Sequence, residues 1–252
     1  MDRNYSVPET IPFQIILDNR TEGASALLEQ FVQQARDQPL EVIIAGLNAC
    51  HQTFPLMAVW PYLRHQLTGN RLNLEQIAEA MTIQTRNVIA KAAEILTGNE
   101  VLLTLSNSSL VRRTILALDP KPAVLCAASE PGSEGRLLAS AFSEAGVQTT
   151  LVEDDQLSAN IGNTHAVLLG ADMYDDTAFI NKVGSDDLAR RARQCGKQVL
   201  VLAEEFKRVP QLPELTPELT TLAISSRGKT TTHVIFEQVL WQPHIRLITN
   251  KP

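Results

Sequence analysis

The sequence predicts an α/β protein, in which a run of helices is followed by a doubly wound, mainly parallel sheet. Two patterns carry this. Up to about residue 98 apolar residues recur at three- and four-residue spacing, the period of a helix with one buried face. After Gly98 short, nearly continuous apolar runs alternate with amphipathic stretches, as parallel strands covered on both faces by helices require. The composition agrees: 252 residues, 44% hydrophobic and 20% charged, describe a globular chain long enough to bury a sizeable core.

The helical part is justified piece by piece. From Glu22 onward, Ala24, Leu27, Leu28, Phe31, Val32 and Ala35 fall on one helical face. Residues 40–50 form a second apolar stretch and 54–67 a third, in which Pro61 starts or kinks a helix. Asn73 is an N-cap with Gln76 three residues on, the spacing of a capping box, and Gly98 is the expected stop. The expected buried stripe of that helix is Ile77, Ala80, Met81, Val88, Ala92 and Ile95.

Strands are predicted at 101–105, 123–127, 149–152, 166–169 and 199–202, with helices at 110–118, 134–145, 155–161 and 186–195 between them. Residues 234–236 and 245–248 add strands near the C-terminus, and three prolines between Val209 and Pro217 predict an irregular loop. The expected division is a helical domain over 1–98 and a Rossmann-like α/β domain over 99–252.

Charge and cysteine usage exclude several classes. A formal net charge of −6 with both signs interspersed leaves no basic stripe, so direct nucleic-acid binding is not expected. No apolar run approaches the ~20 residues that cross a bilayer, and Met1 to Tyr5 lacks the opening of a secretory signal. Cys50, Cys126 and Cys195 are odd in number and far apart, which points to free thiols in the cytoplasm. The five histidines show no metal spacing, and neither a dinucleotide fingerprint nor a P-loop is present. No metal and no cofactor are therefore expected.

Ligands of open α/β sheets sit beyond the carboxyl ends of the strands. That rule nominates Ser106-Asn107-Ser108-Ser109, the loop from Ser129 to Arg136, Gly170-Ala171-Asp172 with Asn181-Lys182-Val183-Gly184, and the segment from Ala203 to Lys207. Taken singly, a hydroxyl cluster is a helix cap and paired glycines are a turn. Their recurrence at the same end of successive strands is what points to a site.

These loops also carry a family resemblance. Gly170-Ala171-Asp172, Ile180-Asn181-Lys182-Val183-Gly184, Glu134-Gly135-Arg136, Glu205-Phe206-Lys207 and, nearer the N-terminus, Asp18 to Ala24 follow one another in a known order. They resemble the superfamily shared by the α, β and δ subunits of translation initiation factor 2B and the methylthioribose-1-phosphate and ribose-1,5-bisphosphate isomerases. The resemblance implies Asp172 as acid/base group and Ser106 at the position of a catalytic cysteine. It implies Asn107, Gly135, Arg136, Asn181, Lys182 and Arg20 as ligand-binding residues, a small anionic sugar as ligand, and a homodimer formed through the C-terminal domain. Three positions depart from the isomerase pattern: serine replaces the cysteine at 106, and Glu22 and Glu130 stand where arginines would clamp a phosphate. The expectation is therefore a non-catalytic binding or regulatory member, with a divergent aldose-1-phosphate isomerase using Asp172 as the alternative.

Overall fold

A computed structural model describes residues 13–19, 22–69, 73–226 and 229–251. Five helices come first: α1 Gln14–Asp18, α2 Ala24–Ala35, α3 Leu40–Thr53, α4 Val59–Thr68 and α5 Leu74–Ile95. Pro61 stands third in α4, where its missing N–H deprives no helical bond. The capping box forms as the spacing predicts, with the Asn73 and Gln76 side chains each accepting from the other's backbone N–H at 2.9 and 3.0 Å. The helix ends at Ile95, three residues before Gly98. Gly98 serves the next turn instead: with φ 81° it passes so close to Pro120 that a Cβ would lie 1.7 Å from that residue's carbonyl oxygen.

The rest alternates as expected: β1 Val101–Thr104, α6 Ser109–Ala117, β2 Ala123–Ala127, α7 Glu134–Glu144, β3 Thr149–Val152, the short α8 Leu157–Asn160, and β4 Ala166–Gly170. Then come β5 Met173–Tyr174, β6 Ala178–Lys182, α9 Ser185–Gln194, β7 Gln198–Leu202, α10 Pro217–Thr220, β8 Thr221–Ser226, β9 Lys229–Val234, β10 Phe236–Leu240 and β11 Ile245–Ile248. Six of these strands pair in the order β11-β7-β4-β1-β2-β3, every neighbour parallel. The chain runs outward from β1 to β3, returns to the other side of β1, and runs outward again, which is double winding.

Three features differ from the sequence expectation. β10, β6 and β5 form a small antiparallel sheet, and β8 pairs with β9 as a hairpin. Residues 234–236, expected as one strand, instead straddle the junction between β9 and β10. β5 has two residues, β10 is half-exposed, and the apolar run of the buried β6 ends at Asn181 and Lys182, so none carries the continuous apolar run that marks the central strands.

One core lies among the helices, with Phe31, Trp60 and Leu63 at its centre, and it reaches the sheet through Phe206. Two more cover the faces of the central sheet. α5 belongs to two of them: Leu74, Ile77 and Met81 pack with the helices, while Val88 and Ala92 pack against the sheet. Its buried stripe contains the polar Thr85, and Ala80 and Ile95 are only half-buried.

Candidate functional site

Reversal of winding direction places the crevice between β1 and β4, whose carboxyl ends lead to Ser106 and Asp172. The helical part lies over this end of the sheet: the Ala58 N–H donates to the Asp172 carbonyl at 3.4 Å. Between the two lies a cleft of about 430 Å³. Asp172 and Ser106 line it from the central sheet, Glu22 and Phe54 from the helical part, and Lys182 and Phe236 from the antiparallel strands. A recess of about 40 Å³ adjoins it, lined by Asn107, Asn181 and Lys207 and again by Ser106 and Asp172.

The loops here are strained and pinned. Among the described residues four that are not glycine have positive φ, and three of them, Ser106, Ser129 and Ser133, belong to the loops after β1 and β2. Such backbone persists only where surrounding contacts hold it. The Ser129 hydroxyl accepts from the Ser106 N–H at 2.7 Å and donates to the Ala127 carbonyl at 3.0 Å, tying the loops together. Asp154 accepts from the Ser129 and Glu130 N–H groups at 2.9 and 2.6 Å. No residue pattern announced these ties.

Asp172 is the carboxyl of the cleft that burial shifts most. Burial pushes its carboxyl up to about 6; the nearby Lys207 opposes that shift and Glu134 adds to it. In the sequence Lys207 stands only as the end of the Glu205-Phe206-Lys207 motif. It is buried, with Nζ 3.1 Å from Glu204 Oε2, an ion pair without the alignment of a hydrogen bond. Glu204 is fully buried, and its Oε1 accepts from Ser25 in α2 at 3.2 Å and from Thr85 in α5 at 3.0 Å. A carboxylate so deep is stable only when paired and hydrogen-bonded. Its place at the end of β7 was the available signal.

The remaining expected residues divide. Lys182 lies in the cleft, but its ammonium donates to both Glu134 oxygens at 2.7 and 3.0 Å and to the Pro131 carbonyl. Asn181 is buried and donates to Ser185 Oγ at 2.9 Å. Arg136 is not brought to the cleft: it extends to Glu153, bonding both oxygens at 2.9 and 2.7 Å, because its position on α7 faces β3. Gly135 does not line the cleft either; a Cβ there would meet the Ala127 carbonyl oxygen at 1.7 Å, so its role is close packing of α7 on β2. Arg20 lies outside the described residues. Glu22, which lines the cleft, is held by the side-chain amides of Asn19 and Gln30. Burial pushes the Cys126 thiol up to about 12, which leaves it inert near neutrality. Among the described residues no cluster is placed to hold a metal ion, and no helix is long and apolar enough to cross a membrane.

Comparison with known proteins returns the same fold and the same two branches. The chain is 34% identical over 83 residues to the ribose 1,5-bisphosphate isomerase of Haloferax volcanii, a match covering 32% of this chain and 26% of that protein. It is 32% identical over 134 residues to translation initiation factor eIF2B subunit alpha of Caenorhabditis elegans, covering 51% and 44%. The matches thus span under half the length of these curated relatives. The crystal structure of the Pyrococcus horikoshii OT3 translation initiation factor eIF-2B superposes with a TM-score of 0.81 at 21% identity, over 97% of this chain and 96% of that one. The initiation factor 2 subunit family matches residues 46–220, which include β4, Asp172, Asn181 and Lys182. With its cleft at the switch point of a doubly wound sheet and most of its length matched, this chain belongs to the initiation factor 2 subunit family.

Proposed function

We propose that this protein is a non-catalytic binding or regulatory member of its family, one that holds a small sugar-like ligand in the cleft beside Asp172. We further propose that it works in the cytoplasm as a homodimer formed through its C-terminal part. The observation that supports the first reading most is the state of Lys182. An ammonium has three protons to donate, and those of Lys182 meet two carboxylate oxygens and a carbonyl of the protein itself. The cleft lining, among the described residues, also holds no thiol or imidazole to exchange a proton with the Ser106 hydroxyl. What remains is an open, partly apolar cavity with a few polar groups, the character of a binding site.

The dimer is supported by exposed apolar side chains on the C-terminal strands. Val234 on β9 and Leu240 on β10 are 50% and 58% exposed, and an interface through these strands removes them from water.

A divergent aldose-to-ketose isomerase is the second reading, and Asp172 favours it. A carboxyl pushed up to about 6 is poised to take and return a proton near neutrality. A thermal-shift screen of the full chain against free sugars, sugar phosphates and nucleotides tests the proposal. A ligand at a hundred times its dissociation constant stabilises by ~2.7 kcal/mol, which such a screen resolves. The expected result is a shift with a sugar-like compound that disappears in Asp172→Ala, without turnover of that compound. Turnover abolished by Asp172→Asn establishes the isomerase instead; no shift from any compound contradicts both.

A further inference from the structure

We propose, resting on the ligand-binding reading above, that the cleft selects a small polyhydroxylated ligand bearing a positive charge, an amino sugar or a hydroxylated amine, and turns phosphorylated sugars away, with Glu22 as the specificity-determining residue. The described charged groups facing the cleft are mostly acidic. Glu22, Glu134, Asp172 and Glu218 line it, against a single described cation, Lys182. Glu134 neutralises that cation in a largely buried pair, the two side chains being 5% and 13% exposed, and the Pro131 carbonyl takes its remaining proton. No donor of Lys182 is left for a phosphate oxygen.

Glu22 has no such compensation among the described residues. Its carboxylate accepts from the neutral amides of Asn19 and Gln30, both at Oε2, which hold it without cancelling its charge. It faces a cavity walled in part by Phe54, Met57, Leu219 and Phe236. Low-dielectric walls of this kind focus the field of a charge lining them. A phosphate dianion entering here loses its water and meets like charge; an ammonium replaces its water with a carboxylate. Lys207, which lines the adjoining recess, does not reverse the balance, because Glu204 pairs with it. The cavity volume of about 430 Å³ and the apolar walls suit a hexose-sized ring, whose hydroxyls find acceptors in Asp172 and Glu22.

Calorimetric titration of the full chain with glucosamine, glucose and a glucose phosphate, at neutral pH and fixed ionic strength, tests this directly. The expected order is glucosamine tightest and the phosphate weakest, the two separated by at least about tenfold at low salt and by less as salt is added. Glu22→Gln removes the advantage of glucosamine over glucose, and Glu22→Arg inverts the order in favour of the phosphate. Glu134→Gln, which releases Lys182, raises affinity for the phosphate without requiring any change at Glu22. Tightest binding of the phosphate to the unaltered protein overturns the proposal; if that preference is lost in Arg20→Ala, Arg20 is the anion clamp. An order unchanged in Glu22→Gln overturns the role of Glu22. Failure of all three sugars overturns the amine-bearing class, while a compound of other chemistry bound in an Asp172-dependent way leaves the ligand-binding reading standing.

Discussion

Asp172 ties the chemistry of the cleft to the stability of the fold. Its carboxyl ionises at about 6 in the folded protein, against an ordinary value of 3.8. Below the lower value both folded and unfolded chains carry the proton, and Asp172 has no effect. Through the interval between the two values the unfolded chain releases its proton first, so stability falls as pH rises; above the folded value the penalty is constant. The gap corresponds to about 3 kcal/mol at most. Replacement by an amide of the same shape removes the ionised form, so Asp172→Asn is expected to stabilise the protein by ~1–3 kcal/mol above pH ~7 and to leave it unchanged below pH ~4. Urea midpoints measured across that range check this, and a difference independent of pH contradicts it. At this scale the sequence was informative where chemistry follows strand ends, as with Asp172, Ser106 and Lys182. It was silent on pairing: nothing in the residue order says that Lys182 meets Glu134, 48 positions away, or that Arg136 turns to Glu153.

Among the elements, Glu204 joins three that are remote in sequence. It sits just after β7, receives hydroxyls from α2 and α5, and faces Lys207. Removing one member of a buried charged pair strands the other, at a cost of about 3–5 kcal/mol. Glu204→Ala is therefore expected to lower the denaturation midpoint sharply, and Glu204→Leu combined with Lys207→Met to recover most of the loss. A double variant as unstable as the single one contradicts the pairing account. By comparison, Asn73→Ala, which removes the α5 cap, is expected to lose only about 1 kcal/mol. The cap was legible because its signal lies within four residues, whereas Thr85 broke the apolar stripe of α5 for a partner 119 positions away. The central strands were legible because burial on both faces demands an unbroken apolar run. The antiparallel β5 and β6 were not, because β5 has only two residues and the apolar run of β6 stops after Ile180, at Asn181 and Lys182.

For the whole molecule, the order of elements and the covered sheet followed from periodicity alone, while the seat of the helices over the sheet did not. That arrangement rests on contacts between residues remote in sequence: Phe206 after β7 enters the helical core, Val88 and Ala92 of α5 pack on the sheet, and Glu204 bonds α2 and α5. It makes the cleft a junction, with Glu22 on one wall and Asp172 on the other, so ligand binding and closure of the helices on the sheet stabilise each other. If the C-terminal strands form the proposed dimer, light scattering at micromolar concentration gives twice the chain mass, and Leu240→Arg shifts it toward the single chain. A single-chain mass for the unaltered protein rules that assembly out. The claim on which the account rests is that the cleft at the switch point is a ligand site anchored by Asp172. Its most direct test is a crystal structure of the protein with the compound that stabilises it most. The account predicts that compound between Asp172 and Glu22, with a hydroxyl bonded to the Asp172 carboxyl and the Lys182–Glu134 pair intact. A ligand bound elsewhere, or a phosphate seated on Lys182 with Glu134 displaced, contradicts it.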